Sequence, residues 1–257
     1  MSTITATTGS IEHQINHVGV RNWLLDGLTF SSGAIDSISF LGLGKVFTAF
    51  MTGNVAFLGM GIAGNPMPRV VSVLASLVAF ALGIYLATKI SGEQKNDVFW
   101  SPRTTFVLGL SLLAHLGFVA IWFANSGRPA ASLFPILLAV WALAMGLQSG
   151  AVRKLHVEGI FTTAATGTLM VLAADLVHWR LTRDERRRAR GVLISLCIGA
   201  AAGAYLLFHA PIFAPVLPLV VTAGVVLTAA RAFRYRDEAR REKVASKVQR
   251  LSETPAE

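Results

Sequence analysis

Charged residues are scarce in this sequence: only 14% of its 257 residues are Asp, Glu, Lys or Arg, whereas 53% are hydrophobic. Soluble domains carry roughly 25% charged residues, so a soluble domain is not expected. Six stretches with almost no charge are each close to the ~20 residues with which a helix spans a bilayer. They cover residues 23–43, 69–88, 104–124, 132–151, 191–210 and 212–230. The composition predicts an all-α, polytopic helical membrane bundle of about six spans.

Residues for disulfide, metal or covalent chemistry are also few. Cys197 is the only cysteine, so no intramolecular disulfide can form. The six histidines show no metal-ligand spacing, and neither His-Glu-x-x-His nor Cys-x-x-Cys occurs. No nucleophile–base pair is recognisable from spacing. We therefore expect no metal site, no cofactor and no enzymatic activity.

Basic residues outnumber acidic ones, 23 to 14, and they gather in two places. One cluster is the connection that contains Arg180–Arg190, and the other is the C-terminal tail. Both adjoin membrane segments, and cytoplasmic loops are the ones enriched in Lys and Arg. We expect both clusters to be cytoplasmic and to contact anionic lipid head groups. No nucleic-acid partner is expected, and homo-oligomerisation stays open.

Two further apolar segments, 46–64 and 160–178, decide the number of spans. If both cross the bilayer, eight spans result and several basic residues fall outside. If both are broken or re-entrant, six spans result and most Lys and Arg residues lie inside, which the positive-inside rule favours. Either topology keeps both termini cytoplasmic. The domain organisation expected is a disordered polar tail over 1–20, a membrane domain over 21–233 and a basic tail over 234–257.

These two segments carry the same motif. Phe47-Thr48 is followed by Thr52-Gly53, and Phe161-Thr162 is followed by Thr166-Gly167, 114 residues later. The motif predicts an internal two-fold repeat with halves at about 23–124 and 132–230. Many transporters place a midplane site between such repeats, where paired segments are interrupted.

The motif offers hydrogen-bonding groups at membrane depth. If the segments are helical, Thr48 and Thr52 share a face, because residues four apart are neighbours on a helix. Gly53 permits a backbone break or a close helix approach, and Asn54 adds a donor and an acceptor. The matching residues of the second copy are Thr162, Thr166, Gly167 and Thr168. We expect the two copies to line one shared pocket, although Thr and Gly are also common at plain helix contacts in lipid.

Asp36 is the strongest intramembrane acid, because carboxylates at membrane depth are costly and usually functional. Its surroundings, Gly33 to Ser37, parallel Gly146 to Gly150 in the second half, which adds Gln148 as a candidate. Asp26 and Asp175 lie near segment ends, where an interfacial position is also expected. His115 is expected to make a helix-packing hydrogen bond.

The Gly33–Asp36 string, the Phe47–Asn54 motif, Gly146-Leu147-Gln148 and the Phe161–Thr168 motif resemble the YoaK-type family of bacterial membrane proteins, domain of unknown function 1275. The resemblance covers about residues 20–233. It implies a multi-pass bacterial inner-membrane protein of about six spans and brings no established substrate.

Two functions remain open at this point. The duplicated motif beside Asp36 favours a transporter or permease for a small solute. The basic connection and tail favour a non-transporting scaffold or lipid-interacting protein instead.

Overall fold

The computed structural model describes residues 2–64, 68–92, 101–153, 165–178 and 181–231, which are almost entirely helical and contain no strand. The helices are α1 (Ser2–Gly42), α2 (Met51–Ile62), α3 (Val70–Ser91), α4 (Pro102–Ala124), α5 (Phe134–Arg153), α6 (Ala165–His178), α7 (Arg183–His209) and α8 (216–231). A short 3₁₀ turn, Pro211–Phe213, precedes α8. The all-α prediction is confirmed.

The N-terminal segment differs from its prediction. α1 begins at Ser2, so the backbone of the stretch expected to be a disordered tail is helical. Extending an existing helix costs little, because each added residue gains a hydrogen bond. The basic tail over 234–257 lies outside the described residues.

Five of the six predicted spans are helices long and apolar enough to cross a bilayer: α3, α4, α5, α7 and the segment Pro211–Arg231. The sixth prediction, 23–43, falls in α1 and does not meet that standard. Its acids and hydroxyl residues lower its hydropathy, and Ser31, Ser32 and Ser39 are buried against other helices. A helix enclosed by protein can carry such groups where a lipid-facing one cannot, so the sixth span stays a prediction.

In the described part of the chain, both motif helices are shorter than a bilayer span. α2 has 12 residues and α6 has 14, which at 1.5 Å per residue gives roughly 18–21 Å against a hydrocarbon core of about 30 Å. The first motif segment is broken, because residues 43–50 are not helical. The start of the second, 160–164, lies outside the described residues.

Glycines let two helix pairs approach closely and in parallel. α1 packs along α7, where Gly33 lies against the backbone of Leu196 and Ala200. α3 packs along α5, where Gly146 lies against the backbone of Phe80 and Gly83. Small residues at such crossings are characteristic of membrane helix pairs, since close packing drives their association. The first and third helices of one half thus pack against the third and first of the other.

The bundle has two ends of different charge. At one end α1 stops and the α4–α5 and α7–α8 turns meet, where the Trp122 indole donates to the Pro211 carbonyl (3.0 Å). Its described basic residues are Lys45, Arg69 and Arg128. At the other end, called the basic end here, the described basic residues are Arg21, Lys89, Arg103, Arg153, Arg183, Arg186, Arg187, Arg188, Arg190 and Arg231.

Two apolar clusters fill the interior. The cluster nearer the basic end includes Leu25, Leu28, Leu108 and Val225. The cluster nearer the opposite end includes Ile35, Phe118 and Trp141. On α1, α4 and α8, buried polar side chains also lie between these two clusters.

Candidate functional site

The non-helical residues 43–50, called the re-entrant loop here, fold back against α1. The Asp36 carboxylate accepts hydrogen bonds from the backbone N–H groups of Thr48 (2.8 Å), Ala49 (2.8 Å) and Phe50 (3.0 Å). The Thr48 hydroxyl lies 3.4 Å from the same carboxylate. Asp36 is six residues before the end of α1, so the loop turns back towards the middle of the bundle before α2 begins. The carboxylate supplies the acceptors that an unwound backbone needs away from water.

Asn54 fixes the other side of the re-entrant loop. Its side-chain oxygen accepts from the Phe47 N–H (3.0 Å), and its amide donates to the Phe47 carbonyl (2.7 Å). The Ser76 hydroxyl of α3 donates to that same carbonyl (2.7 Å). The side chains of Thr48, Asn54 and Ser76 are fully buried.

The first motif therefore acts as a folded loop rather than as one helical face. α2 begins at Met51, so Thr48 precedes it, and the expectation that Thr48 and Thr52 share a helix face is wrong. Thr48 is buried and Thr52 is exposed. Gly53 is inside α2, where an added Cβ would lie 2.9 Å from the Phe50 ring and 3.1 Å from the Phe47 ring. Its small size admits these rings and does not break the backbone.

The second motif is described only in part. Thr162 lies outside the described residues, Thr166 is exposed and Thr168 is buried. Gly167 has open space around it. α6 packs on α7 whereas α2 packs on α3. Because residues 161–164 lie outside the described residues, the shared pocket between the two motif copies stays a prediction.

Gln148 belongs to a different group, called the polar layer here. Its members are Ser31 and Ser32 of α1, Ser111 and His115 of α4, Gln148 of α5 and Thr222 of α8, each at most 1% exposed. The Gln148 amide donates to the Leu28 carbonyl of α1 (3.2 Å), and Ser31 and Thr222 share a hydrogen bond (2.9 Å). On α1, α4 and α8 the layer separates the two apolar clusters.

Three atoms of the polar layer have no hydrogen-bond partner: Ser32 Oγ, His115 Nε2 and Gln148 Oε1. His115 Nδ1 lies 2.8 Å from the Ser111 carbonyl, which can only accept, so Nδ1 carries the proton and Nε2 is left as an acceptor. Buried polar atoms are usually paired. The layer therefore presents an excess of acceptors inside the bundle.

Asp36 and Ser32, the member of the polar layer with the unpaired hydroxyl, lie on one stripe of α1. Leu28, Ser32 and Asp36 are spaced four apart, which puts them on the same helix face. The stripe starts at the carbonyl that Gln148 binds, passes the unpaired Ser32 hydroxyl and ends at the re-entrant loop. Of the residues predicted from sequence, the structure thus groups Asp36, Thr48, Asn54 and, further inward, Gln148.

Sequence reasoning missed Ser32, Ser76, Ser111 and Thr222 as members of these networks. Each is a single hydroxyl residue in an apolar span, a signal too common to select them. His115 Nδ1 bonds to the Ser111 carbonyl one turn back in its own helix, so the helix-packing hydrogen bond that was expected stays a prediction. Asp175 forms an ion pair with Arg186 (2.6 Å) at the basic end.

Five bilayer-length apolar helices around a buried polar layer define a multi-pass helical membrane protein. The chain belongs to the family described as "Protein of unknown function (DUF1275)", whose model matches residues 24–229. It is 33% identical over 221 residues to the UPF0700 transmembrane protein YoaK of Bacillus subtilis (strain 168), covering 81% of this chain and 94% of that protein. No solved structure matches.

Proposed function

We propose that this protein is a transporter or permease for a small polar solute, and that the solute binds at the polar layer. The observation that carries the proposal is the set of unpaired atoms on Ser32, His115 and Gln148, which are fully or almost fully buried. A solute with hydrogen-bond donors would satisfy them. Leaving such groups unpaired costs roughly 1–3 kcal/mol each, so a layer without a ligand or water would be unfavourable.

The position of the layer supports transport rather than packing alone. It separates apolar clusters near the two ends of the bundle, as expected for a site near the bilayer midplane. The reciprocal α1–α7 and α3–α5 packing supports the internal repeat, with the second half inverted. In inverted-repeat transporters the two repeats move against each other around such a site.

The re-entrant loop also supports a role in transport. Irregular backbone at membrane depth is tolerated where it is enclosed by protein or lines a water-filled cavity. Asp36 holds the loop at the outer end of the stripe that leads to Ser32 and Gln148. In this proposal the loop and its motif residues close one entrance to the layer, and the solute does not bind directly to Thr52 or Thr166.

Localisation is part of the proposal. The excess of Lys and Arg at the basic end supports a cytoplasmic position for that end and for both chain termini, by the positive-inside rule. The membrane is then the bacterial inner membrane, in keeping with the YoaK relative's name as a transmembrane protein.

Solute uptake into liposomes tests the proposal. Purified protein should accelerate entry of at least one member of a panel of urea, simple amides, polyols and amino acids. Gln148→Leu and Ser32→Ala should each reduce this flux, for Gln148→Leu by about tenfold, because one hydrogen bond to a buried partner is lost.

Thr29→Val is the matched control. Thr29 is equally buried on α1, but its hydroxyl is bonded to the Leu25 carbonyl of its own helix (2.8 Å). This variant should transport normally. Uptake no faster than in protein-free liposomes across the whole panel would contradict the proposed function.

A further inference from the structure

A second site lies outside the polar layer, in a pocket of about 440 Å³ between α1 and α7 at the basic end. One wall is the face of α1 that carries Gly19, Asn22, Trp23 and Asp26. The other is the face of α7 that carries Asp184, Arg187, Arg188 and Gly191. Spacings of three and four residues place each set on one side of its helix.

The pocket contains charges of both signs that do not neutralise each other. Within the described part of the chain, neither Asp26 nor Asp184 forms an ion pair with Arg187 or Arg188. Two buried polar atoms at the pocket, Asn22 Oδ1 and Arg188 Nε, have no hydrogen-bond partner. The pocket therefore offers guanidinium donors for an anion and oxygen acceptors for a cation.

Positive charge is concentrated on the arginine side. Burial and, to a smaller extent, repulsion by the like charge of Arg188 lower the pKa of Arg21. A phosphate group would relieve this repulsion and accept several charge-assisted hydrogen bonds.

Asp26 lies directly against α7 because residue 191 has no side chain. A Cβ at Gly191 would be 3.0 and 3.1 Å from the two Asp26 carboxylate oxygens. Trp23, beside it, is 76% exposed, as is typical of tryptophans at the membrane–water interface. The pocket thus combines a carboxylate, arginines and an interfacial aromatic residue at one depth.

We propose that this pocket binds a phosphate ester that carries a primary amine, with the phosphate at Arg187 and Arg188 and the ammonium group at Asp26 and Asn22. Its interfacial position favours the head group of an aminophospholipid over a soluble molecule. The mixed lining distinguishes this site from general attraction of anionic lipids to basic residues.

Lipid retention measured by native mass spectrometry tests the site. The full-length protein is placed in phosphatidylcholine nanodiscs that contain a minor fraction of phosphatidylethanolamine or phosphatidylglycerol. Phosphatidylethanolamine should be retained preferentially, because phosphatidylglycerol lacks the ammonium group and the methylated ammonium of phosphatidylcholine cannot donate hydrogen bonds. Gly191→Ala should reduce this retention by roughly tenfold, about the effect of losing one charge-assisted hydrogen bond.

Two further variants make the result specific. Gly224→Ala on α8, outside the pocket, adds the same methyl group where nothing lies within 4 Å, so it should retain the lipid normally. Asp26→Asn should lower retention without adding bulk, which keeps the test valid if Gly191→Ala does not fold. Competition by free phosphoethanolamine, without retention of its lipid, would assign the same chemistry to a soluble ligand. Equal or better retention of phosphatidylglycerol, or an unchanged Gly191→Ala variant, would overturn the proposal.

Discussion

Asp36 holds the re-entrant loop through three backbone N–H groups that have no helical partner. An unpaired backbone donor away from water costs about as much as a lost hydrogen bond. The stability of this region should therefore depend on one carboxylate. These hydrogen bonds also hold the Asp36 side chain in place. Its position marks the end of the α1 stripe that adjoins the re-entrant loop.

Replacing Asp36 with Ala should lower the free energy of unfolding by about 2–4 kcal/mol, because three donors lose a common acceptor. Each unpaired donor would cost roughly 1–3 kcal/mol, and local rearrangement towards other acceptors recovers part of this cost. Thermal unfolding in detergent measures the change. Ser39→Ala is the control, since the buried Ser39 hydroxyl bonds only to the Asp36 carbonyl of its own helix (3.1 Å). Equal stability of the two variants would show that Asp36 does not hold the loop.

The residues of this network could be predicted from sequence only in part. Asp36 was recognisable because an acid is rare in an apolar segment, and Asn54 because it belongs to the motif. Their partners could not be predicted, because the bond from Asn54 to Phe47 depends on where α2 begins. Thr52 is exposed in the first turn of α2, and this too depends on α2 beginning at Met51.

At the scale of helices, close glycine contacts determine which elements pair. Gly199 of α7 lies against the backbone of Phe30 of α1, and Gly83 of α3 would place a Cβ 2.5 Å from the Leu143 carbonyl of α5. A side chain at either position must push two helices apart, because a backbone atom cannot move aside as a side-chain tip can.

Gly199→Ala should therefore destabilise the protein by about 1–3 kcal/mol, the usual cost of overpacking. Gly117→Ala on α4 is the opposite case, since nothing lies within 4 Å of its added methyl group. That variant should be neutral or more stable by roughly 0.5–1 kcal/mol, because Ala is the better helix former. Thermal unfolding of both variants checks this pair, and a tolerated Gly199→Ala would contradict the close α1–α7 contact.

Sequence reasoning was most successful at this scale. Continuous apolar runs predicted α3, α4, α5, α7 and α8, since bilayer-length hydropathy is a local property. The placement of Lys and Arg favoured non-crossing motif segments. The first segment is broken before the 12-residue α2, and the path of the second stays a prediction. The pairing of α1 with α7 was not predictable, because it depends on contacts between residues more than 160 positions apart.

At the scale of the molecule, the charge difference between the two ends predicts orientation. In a Cys197→Ser background, cysteine at Glu185 of the basic end should react with an impermeant thiol reagent only after cells are opened. Cysteine at the exposed Arg128 of the opposite end should react in intact cells. The reverse pattern would place the basic end outside and contradict the proposed topology.

The polar layer is the part of the molecule on which the transport proposal depends. If it binds a solute, water must reach it from at least one end of the bundle, whereas a layer used only for packing would stay closed. Accessibility can therefore test the layer without knowledge of the solute.

The most direct measurement is labelling of Ser32→Cys, in the Cys197→Ser background, by a small hydrophilic thiol reagent in membrane vesicles of both orientations. The account predicts labelling of this cysteine, and protection from it by any solute that the protein transports. Cysteine at Ile35, in the apolar cluster one turn away, should remain unlabelled. A Ser32→Cys protein that is folded and yet unreactive from both sides would contradict the central claim.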